Sequence, residues 1–159
     1  MSKDNRPYRP NVGIMLLNND MSMVWVGSRI DMPSPYWQMP QGGVDDGEDI
    51  ETAMWRELME EIGVSKSDAE IIDYHKDWIM YDLPQDISHK LWDGKYRGQK
   101  QKWFVLRLTA DDSVINIATD EPEFNEWKWS NTHDLIENIV PFKKDVYKQI
   151  AKDFSKHLK

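Results

Sequence analysis

Residues 49–62 (DIETAMWRELMEEI) read as one helix that carries acids where its buried face should be. Asp49 suits an N-cap and Gly63 a C-terminal stop. A wheel turned by about 100° per residue gathers Ile50, Met54, Leu58 and Ile62 into one apolar arc. Glu61 falls between Ile50 and Met54, Glu57 lies just past Ile50, and Glu60 sits further round. An unpaired buried carboxylate is costly. Any fold this chain adopts must therefore pack the helix on a core and also bring positive charge, as a cation or an arginine, to its edge.

The rest of the chain supplies that core. Residues 11–17 (NVGIMLL) and 22–27 (SMVWVG) read as strands around an Asn-Asn-Asp turn, and 101–109 (QKWFVLRLT) as a further strand. Residues 114–117 and 126–129 are expected as shorter strands, and 69–83 as a strand with irregular edges. Residues 31–43, punctuated by Pro33, Pro35, Pro40, Gly42 and Gly43, read as loop. Residues 84–100 read as a long polar loop with embedded aromatics, the kind that often serves function. Helices are expected near 132–139 and at 142–157. Strands with a few inserted helices, no linker and 159 residues predict an α/β sandwich formed by a single domain over residues 1–159.

Composition narrows the chemistry. The chain has no cysteine, which excludes disulfides, thiolate metal sites and a Cys nucleophile. Residues 1–10 lack the apolar stretch of a signal peptide, and no run reaches transmembrane length, so a cytoplasmic protein without a membrane partner is expected. The net charge of −8 disfavours general nucleic-acid binding, DNA included, because phosphate contacts dominate that affinity. A carboxylate-rich site that loads divalent cations accounts for part of the acidic excess. The four histidines, at 75, 89, 133 and 157, show no ligand spacing.

Glu57, Glu60 and Glu61 stand at i, i+3 and i+4, so one helical face presents three carboxylates. Such hard oxygen donors suit Mg²⁺ or Mn²⁺, with substrate phosphates completing the shell. A solvated acidic face partnered by Arg56 is the ordinary alternative, and the position of Glu61 within the apolar arc weighs against it. Upstream, Gly42, Gly43 and Gly47 let the backbone approach a ligand. The stretch GGVDDGEDIETAMWRELMEEIGV fits G-x5-E-x7-R-E-U-x-E-E-x-G-U, where U is bulky and apolar. Gly42, Glu48, Arg56, Glu57, Leu58, Glu60, Glu61, Gly63 and Val64 fill every fixed place.

That pattern is the Nudix box, here spanning 42–64, and the chain resembles the Nudix hydrolases. The likeness extends through PYRPNVGIMLLN, WQMPQGGVDDGED, GQKQKWFVLRL, PEFNEWKW and VPFKKDVYKQI to the bacterial RNA pyrophosphohydrolases and the related diadenosine polyphosphate hydrolases. The resemblance implies a Nudix-type α/β/α sandwich with a mixed β-sheet. It also implies Mg²⁺, or Mn²⁺, and attack of water on phosphorus. By position, Glu57, Glu60 and Glu61 are implied metal ligands, with Glu57 or Glu60 orienting or deprotonating the water. A backbone carbonyl at Gln41 or Gly42 completes the set, Arg56 pairs with Glu48 to brace the loop, and Glu123 adds a ligand or base.

The same likeness makes Tyr81 and Phe142 candidates for sandwiching a purine. Arg9, Arg29, Lys102 and Lys143 are candidates for phosphate contacts. The expected partner is a nucleotide or an RNA 5′-polyphosphate. Two substrates follow: 5′-triphosphorylated RNA, placed first, and a dinucleoside polyphosphate, toward which the segment SRIDMPSPYWQMPQGGVDDGED leans. A nucleotide-binding module without catalysis, or an enzyme for nucleotide sugars, would be the competing classes.

Overall fold

The computed structural model describes residues 5–30 and 36–158; residues 31–35, part of the loop expected at 31–43, lie outside it. Seven strands form one mixed sheet: β1 (Tyr8–Leu17), β2 (Val24–Arg29), β3 (Gln41–Gly43), β4 (Ala69–Tyr74), β5 (Ile79–Asp82), β6 (Gly98–Leu108) and β7 (Phe124–Ser130). The helices are α1 (Ile50–Ile62), α2 (Gln85–Ser88), α3 (Thr132–Glu137) and α4 (Lys144–Asp153).

β1 and β6 run parallel in continuous register from Tyr8↔Gly98 to Leu17↔Arg107. The outer edge of β1 is shared, with β2 joining at Leu17↔Val24 and β3 at residues 11–13. The outer edge of β6 is shared likewise between β5, at residues 98–101, and β4, at 104–108. The sheet thus forks at both edges, and the end with β3 and β5 is where the functional residues gather.

Period-two alternation gives each face its own core. Val12, Ile14, Leu16, Phe104 and Leu106 face α1, which covers them with Ala53, Met54, Leu58 and Ile62. Met15, Leu17, Trp103 and Val105 face the other way, under Val146, Tyr147, Ile150 and Phe154 of the C-terminal region and Leu135 of α3. The expected α/β sandwich with helices on both faces is what forms. Leu58 is fully buried, so Leu58→Ala is expected to cost about 2–5 kcal/mol, measured as a lower urea midpoint at unchanged slope.

α1 starts and stops on the expected signals. The Asp49 carboxylate accepts from the Thr52 N–H at 3.2 Å, and Gly63 closes the helix at φ 71°, a left-handed conformation that favours glycine. Three expectations are corrected. Residues 114–117 are not a strand: a 3₁₀ turn occupies Asp112–Val114, and the Asn116 N–H donates to Ile62 O at the end of α1 instead of to a neighbouring strand. The part of the 31–43 loop at Gln41–Gly43 is the strand β3, tied to β1. The 84–100 loop holds α2 and a 3₁₀ turn at Leu91–Gly94, and its last three residues belong to β6. Further along, the helix expected at 142–157 begins and ends in 3₁₀ turns around α4. His75 and His157 bond Asp153 and Asp73 at 3.0 and 2.9 Å, ties between β4 and the C-terminal region.

Candidate active site

Arg56 organises the start of the site. Its guanidinium makes a two-pronged contact with Glu48, Nε to Oε2 and Nη2 to Oε1, both 2.8 Å, and also donates to Gly43 O at 3.0 Å. Its remaining arm reaches Glu57 Oε1 at 3.0 Å and Glu60 Oε2 at 3.2 Å. Such fork-to-carboxylate geometry is the strong form of the ion pair. It holds the Glu48 carboxyl down at about 2 and raises the Arg56 guanidinium further. The loop between β3 and α1 is thereby pinned to the helix that carries the acids.

Glu57, Glu60, Glu61 and Glu123 line one cavity of about 780 Å³. Glu57 comes so close to the Gly42 backbone that a Cβ at Gly42 would collide with its carboxylate and push it from its place beside Arg56. Glu61 is 6 % exposed, and its Oε2 is buried without a hydrogen-bond partner. Burial is the main force raising the Glu61 carboxyl well above its ordinary value, with repulsion from Glu57 and Glu123 adding to it. Glu57 is pushed up to about 7, again chiefly by burial, with Arg56 opposing and Glu60 and Glu123 reinforcing the rise. Arg29, at the end of β2, pairs with Glu123 at 3.4 Å and also acts on Glu61. Lys143 is buried close enough to feel both Arg29 and Glu61, and burial brings it down to about 8.

Among the described residues, no group of three His, Asp or Glu side chains is closed tightly enough to hold an ion as it stands. The residues nevertheless fit one. Glu61 has an orphaned buried oxygen, Arg56 engages a single oxygen of Glu57 and of Glu60, and the four carboxylates raise one another's affinity for positive charge. All the available donors are hard oxygens, which suit Mg²⁺ or Mn²⁺.

The titration of Glu57 has a measurable consequence. Its carboxyl ionises near 4.5 in the unfolded chain and near 7 in the fold. The protonated form therefore favours folding: that contribution is complete below 4.5 and is lost as pH rises through 7. Lys143 has the opposite sign but acts above about 8. Metal-free protein is expected to melt at a lower temperature near pH 8 than near pH 6. Mg²⁺, which needs ionised ligands, is expected to raise the melting temperature more at the higher pH. Thermal melts at the two pH values, with and without Mg²⁺, check both signs.

The other expected residues fall into two places. Tyr81 of β5 and Phe142 lie with ring centroids 6.5 Å apart and planes at 27°. Arg9 places its guanidinium 5.1 Å from the Trp92 ring centre and directly against Gly43. Lys102 goes elsewhere. It pairs in register with Val12, on the α1 face, and lies 4.9 Å from the Trp78 ring beside Lys100. Tyr81 instead shares the face of Trp103, so Lys102 is not brought to the ring pair.

Sequence reasoning missed a row of amides on that second face: Asn11, Gln41, Gln99 and Gln101. The signal was present in the period of two that runs back from Trp103 through Gln101 to Gln99. It missed Trp92 too, whose backbone at φ 51° and ψ 36° no composition signal announces.

The NUDIX domain matches residues 7–150. The RNA pyrophosphohydrolase of Roseobacter denitrificans is 54% identical over 152 residues, covering 96% of this chain and 94% of the relative. The RNA pyrophosphohydrolase of Wolbachia pipientis subsp. Culex pipiens is 48% identical over 160 residues, covering 100% and 96%. Among solved structures, the E. coli dihydroneopterin triphosphate pyrophosphohydrolase superposes with a TM-score of 0.71 at 20% identity, covering 93% of this chain and 99% of that one. A C. elegans Ap4A hydrolase binary complex gives 0.67 at 18%, covering 93% and 98%. At such identities the two structures speak for the fold alone. With the match running over residues 7–150 and close relatives covering nearly the whole chain, the chain belongs to the NUDIX domain family.

Proposed function

We propose that this chain is a divalent-cation-dependent pyrophosphohydrolase that releases pyrophosphate from 5′-triphosphorylated RNA in the cytoplasm and so exposes transcripts to decay, with dinucleoside polyphosphates as further substrates. The observation that carries the hydrolytic part is the partnerless buried oxygen of Glu61, a residue that lines one cavity with Glu57, Glu60 and Glu123. The RNA part draws on what the relatives at 48–54% identity are named for.

A bound Mg²⁺ or Mn²⁺ supplies charge that screens the phosphate oxygens and eases loss of a proton from water. Glu57, Glu60, Glu61, Glu123 and the Gly42 carbonyl are the residues that would hold it. Glu57 or Glu60 takes the proton of the attacking water, and its other oxygen stays on Arg56. Arg29 and Lys143 offset the charge that builds on the departing pyrophosphate. Arg9 steadies the phosphate chain, and Tyr81 and Phe142 hold the terminal base. Two van der Waals contacts to an inserted ring need about 7 Å, close to the 6.5 Å between those rings.

The test is kcat/KM for triphosphorylated RNA against diadenosine tetraphosphate, both with Mg²⁺ at one salt concentration, because phosphate contacts make RNA affinity salt-dependent. Higher efficiency on RNA is expected. Turnover of the dinucleotide alone would leave the hydrolase and overturn the RNA assignment. Phe142→Ala is expected to raise KM by about tenfold or more with kcat nearly kept, since stacking contributes about 1–3 kcal/mol per base.

A further inference from the structure

The amide row on the second face has a direction, and one indole sets it. Trp103 is fully buried with its ring packed against Gly13, and its Nε1–H donates at 3.0 Å to the Gln101 side chain. An indole N–H can only donate, so the atom it meets must be the amide oxygen. The Gln101 NH₂ is thereby turned toward Asn11 Oδ1 at 2.9 Å, Gln41 Oε1 at 3.1 Å and Gln99 Oε1 at 3.1 Å. The Tyr81 hydroxyl donates to the same Gln99 oxygen at 2.7 Å. Gln101 is 1 % exposed, so the junction sits out of reach of water.

The consequence lies at the far end. With its oxygen accepting from Gln101 and Tyr81, Gln99 has its NH₂ left over, and that group makes no hydrogen bond among the described residues. Nor is this nitrogen among the buried atoms that lack a partner. The amide stands at the hydroxyl end of the Tyr81 ring, which is also where the edge of a base stacked on that ring would come.

We infer that Trp103 and Gln101 are positioning residues that fix the Gln99 amide with its NH₂ outward, so that Gln99 donates a hydrogen bond to an acceptor on the edge of the nucleobase held at Tyr81. The inference rests on the proposed nucleotide substrate class. It assigns a neutral donor to base recognition, apart from the charged groups that meet the phosphates. A base edge offering a carbonyl or a bare ring nitrogen is accepted; an edge offering only N–H groups meets donor against donor.

The experiment measures equilibrium binding by NMR titration without metal, so that no turnover enters. The probes are guanosine 5′-monophosphate and, as a phosphate chain lacking a base, inorganic tripolyphosphate. Gln101→Glu keeps the acceptor for the indole and removes the donors, which frees the Gln99 amide to turn over. It is expected to weaken guanosine monophosphate by about tenfold, the loss of one hydrogen bond, and to leave tripolyphosphate unchanged. Trp103→Phe is expected to weaken the nucleotide less, and the double variant no more than Gln101→Glu alone. Gln99→Glu, at 5 % exposure against 1 % for Gln101, gives the same selective loss if the Gln101 variant does not fold. Unchanged nucleotide affinity in Gln99→Glu, equal loss of both probes, or additive effects of the two buried changes would overturn the inference. Because binding alone is read, absence of RNA hydrolysis would sink the proposed function and leave this result standing.

Discussion

Glu61→Gln is expected to stabilise the metal-free protein and to destroy its activity. The carboxylate is nearly inaccessible, one oxygen has no partner, and Glu57 and Glu123 repel it. A neutral amide removes the buried charge, so the melting temperature without metal rises at pH 8, by about 2–4 °C for each kcal/mol gained. Under the proposed reading, the same change takes one ligand from the divalent cation. Loss of residues that merely support metal ligands already costs about 10–100-fold, so kcat is expected to fall by more than that. The rise in melting temperature on adding Mg²⁺ should shrink with it. Glu57→Gln should match the kinetic loss. Paired melts and steady-state kinetics read both effects, and unchanged turnover in the two variants would remove these acids from the mechanism.

Arg56→Ala is expected to fail in stability and catalysis together. Its guanidinium satisfies both oxygens of Glu48, the Gly43 carbonyl and one oxygen each of Glu57 and Glu60. Breaking a partly buried charged network by deleting one member costs about 2–4 kcal/mol, because the remaining acids lose their counter-charge. Arg56→Lys should recover little, since an ammonium cannot reproduce the two-pronged contact with Glu48. Glu48→Gln should cost less than either. Urea midpoints for the three variants order these effects; a lysine variant as stable as the parent would mean that charge alone holds the loop.

The helix 50–62 was legible because its two signals disagree: the apolar period demands burial, and Glu61 sits inside it. The strands of β1 and β6 were legible because each buries both faces in a long apolar run. Val114 to Ile117 misled, since a short apolar run has the same composition whether it pairs in a sheet or packs an irregular segment against a helix end. β3 could not be read, because Gln-Gly-Gly has no strand propensity and is held only by its pairing with β1. In the site, the acids and Arg56 follow from spacing on one helix. Lys102 and Lys143 look alike in sequence, yet one lies over Trp78 on the α1 face and the other is buried near Glu61. That distinction arises from strand register and from burial by distant residues, neither of which is local.

The fork in the sheet divides labour. β3 on one edge carries Gly42 toward the α1 acids, while β5 on the opposite edge carries Tyr81 on the other face. β1 and β6 separate the two short strands and are gripped along their full length by each other. The acids and the ring pair thus sit at one end of a shared spine and meet through Gln41, bonded by Gln101, and through Lys143, which neighbours Phe142 and feels Glu61. Changes along the β5 edge are expected to retune which base is welcomed, while Trp92 in the turn that follows holds Arg9 against Gly43 and is best kept. A laboratory seeking new substrates would do best to diversify residues 79–97 other than Trp92 and leave 41–63 intact.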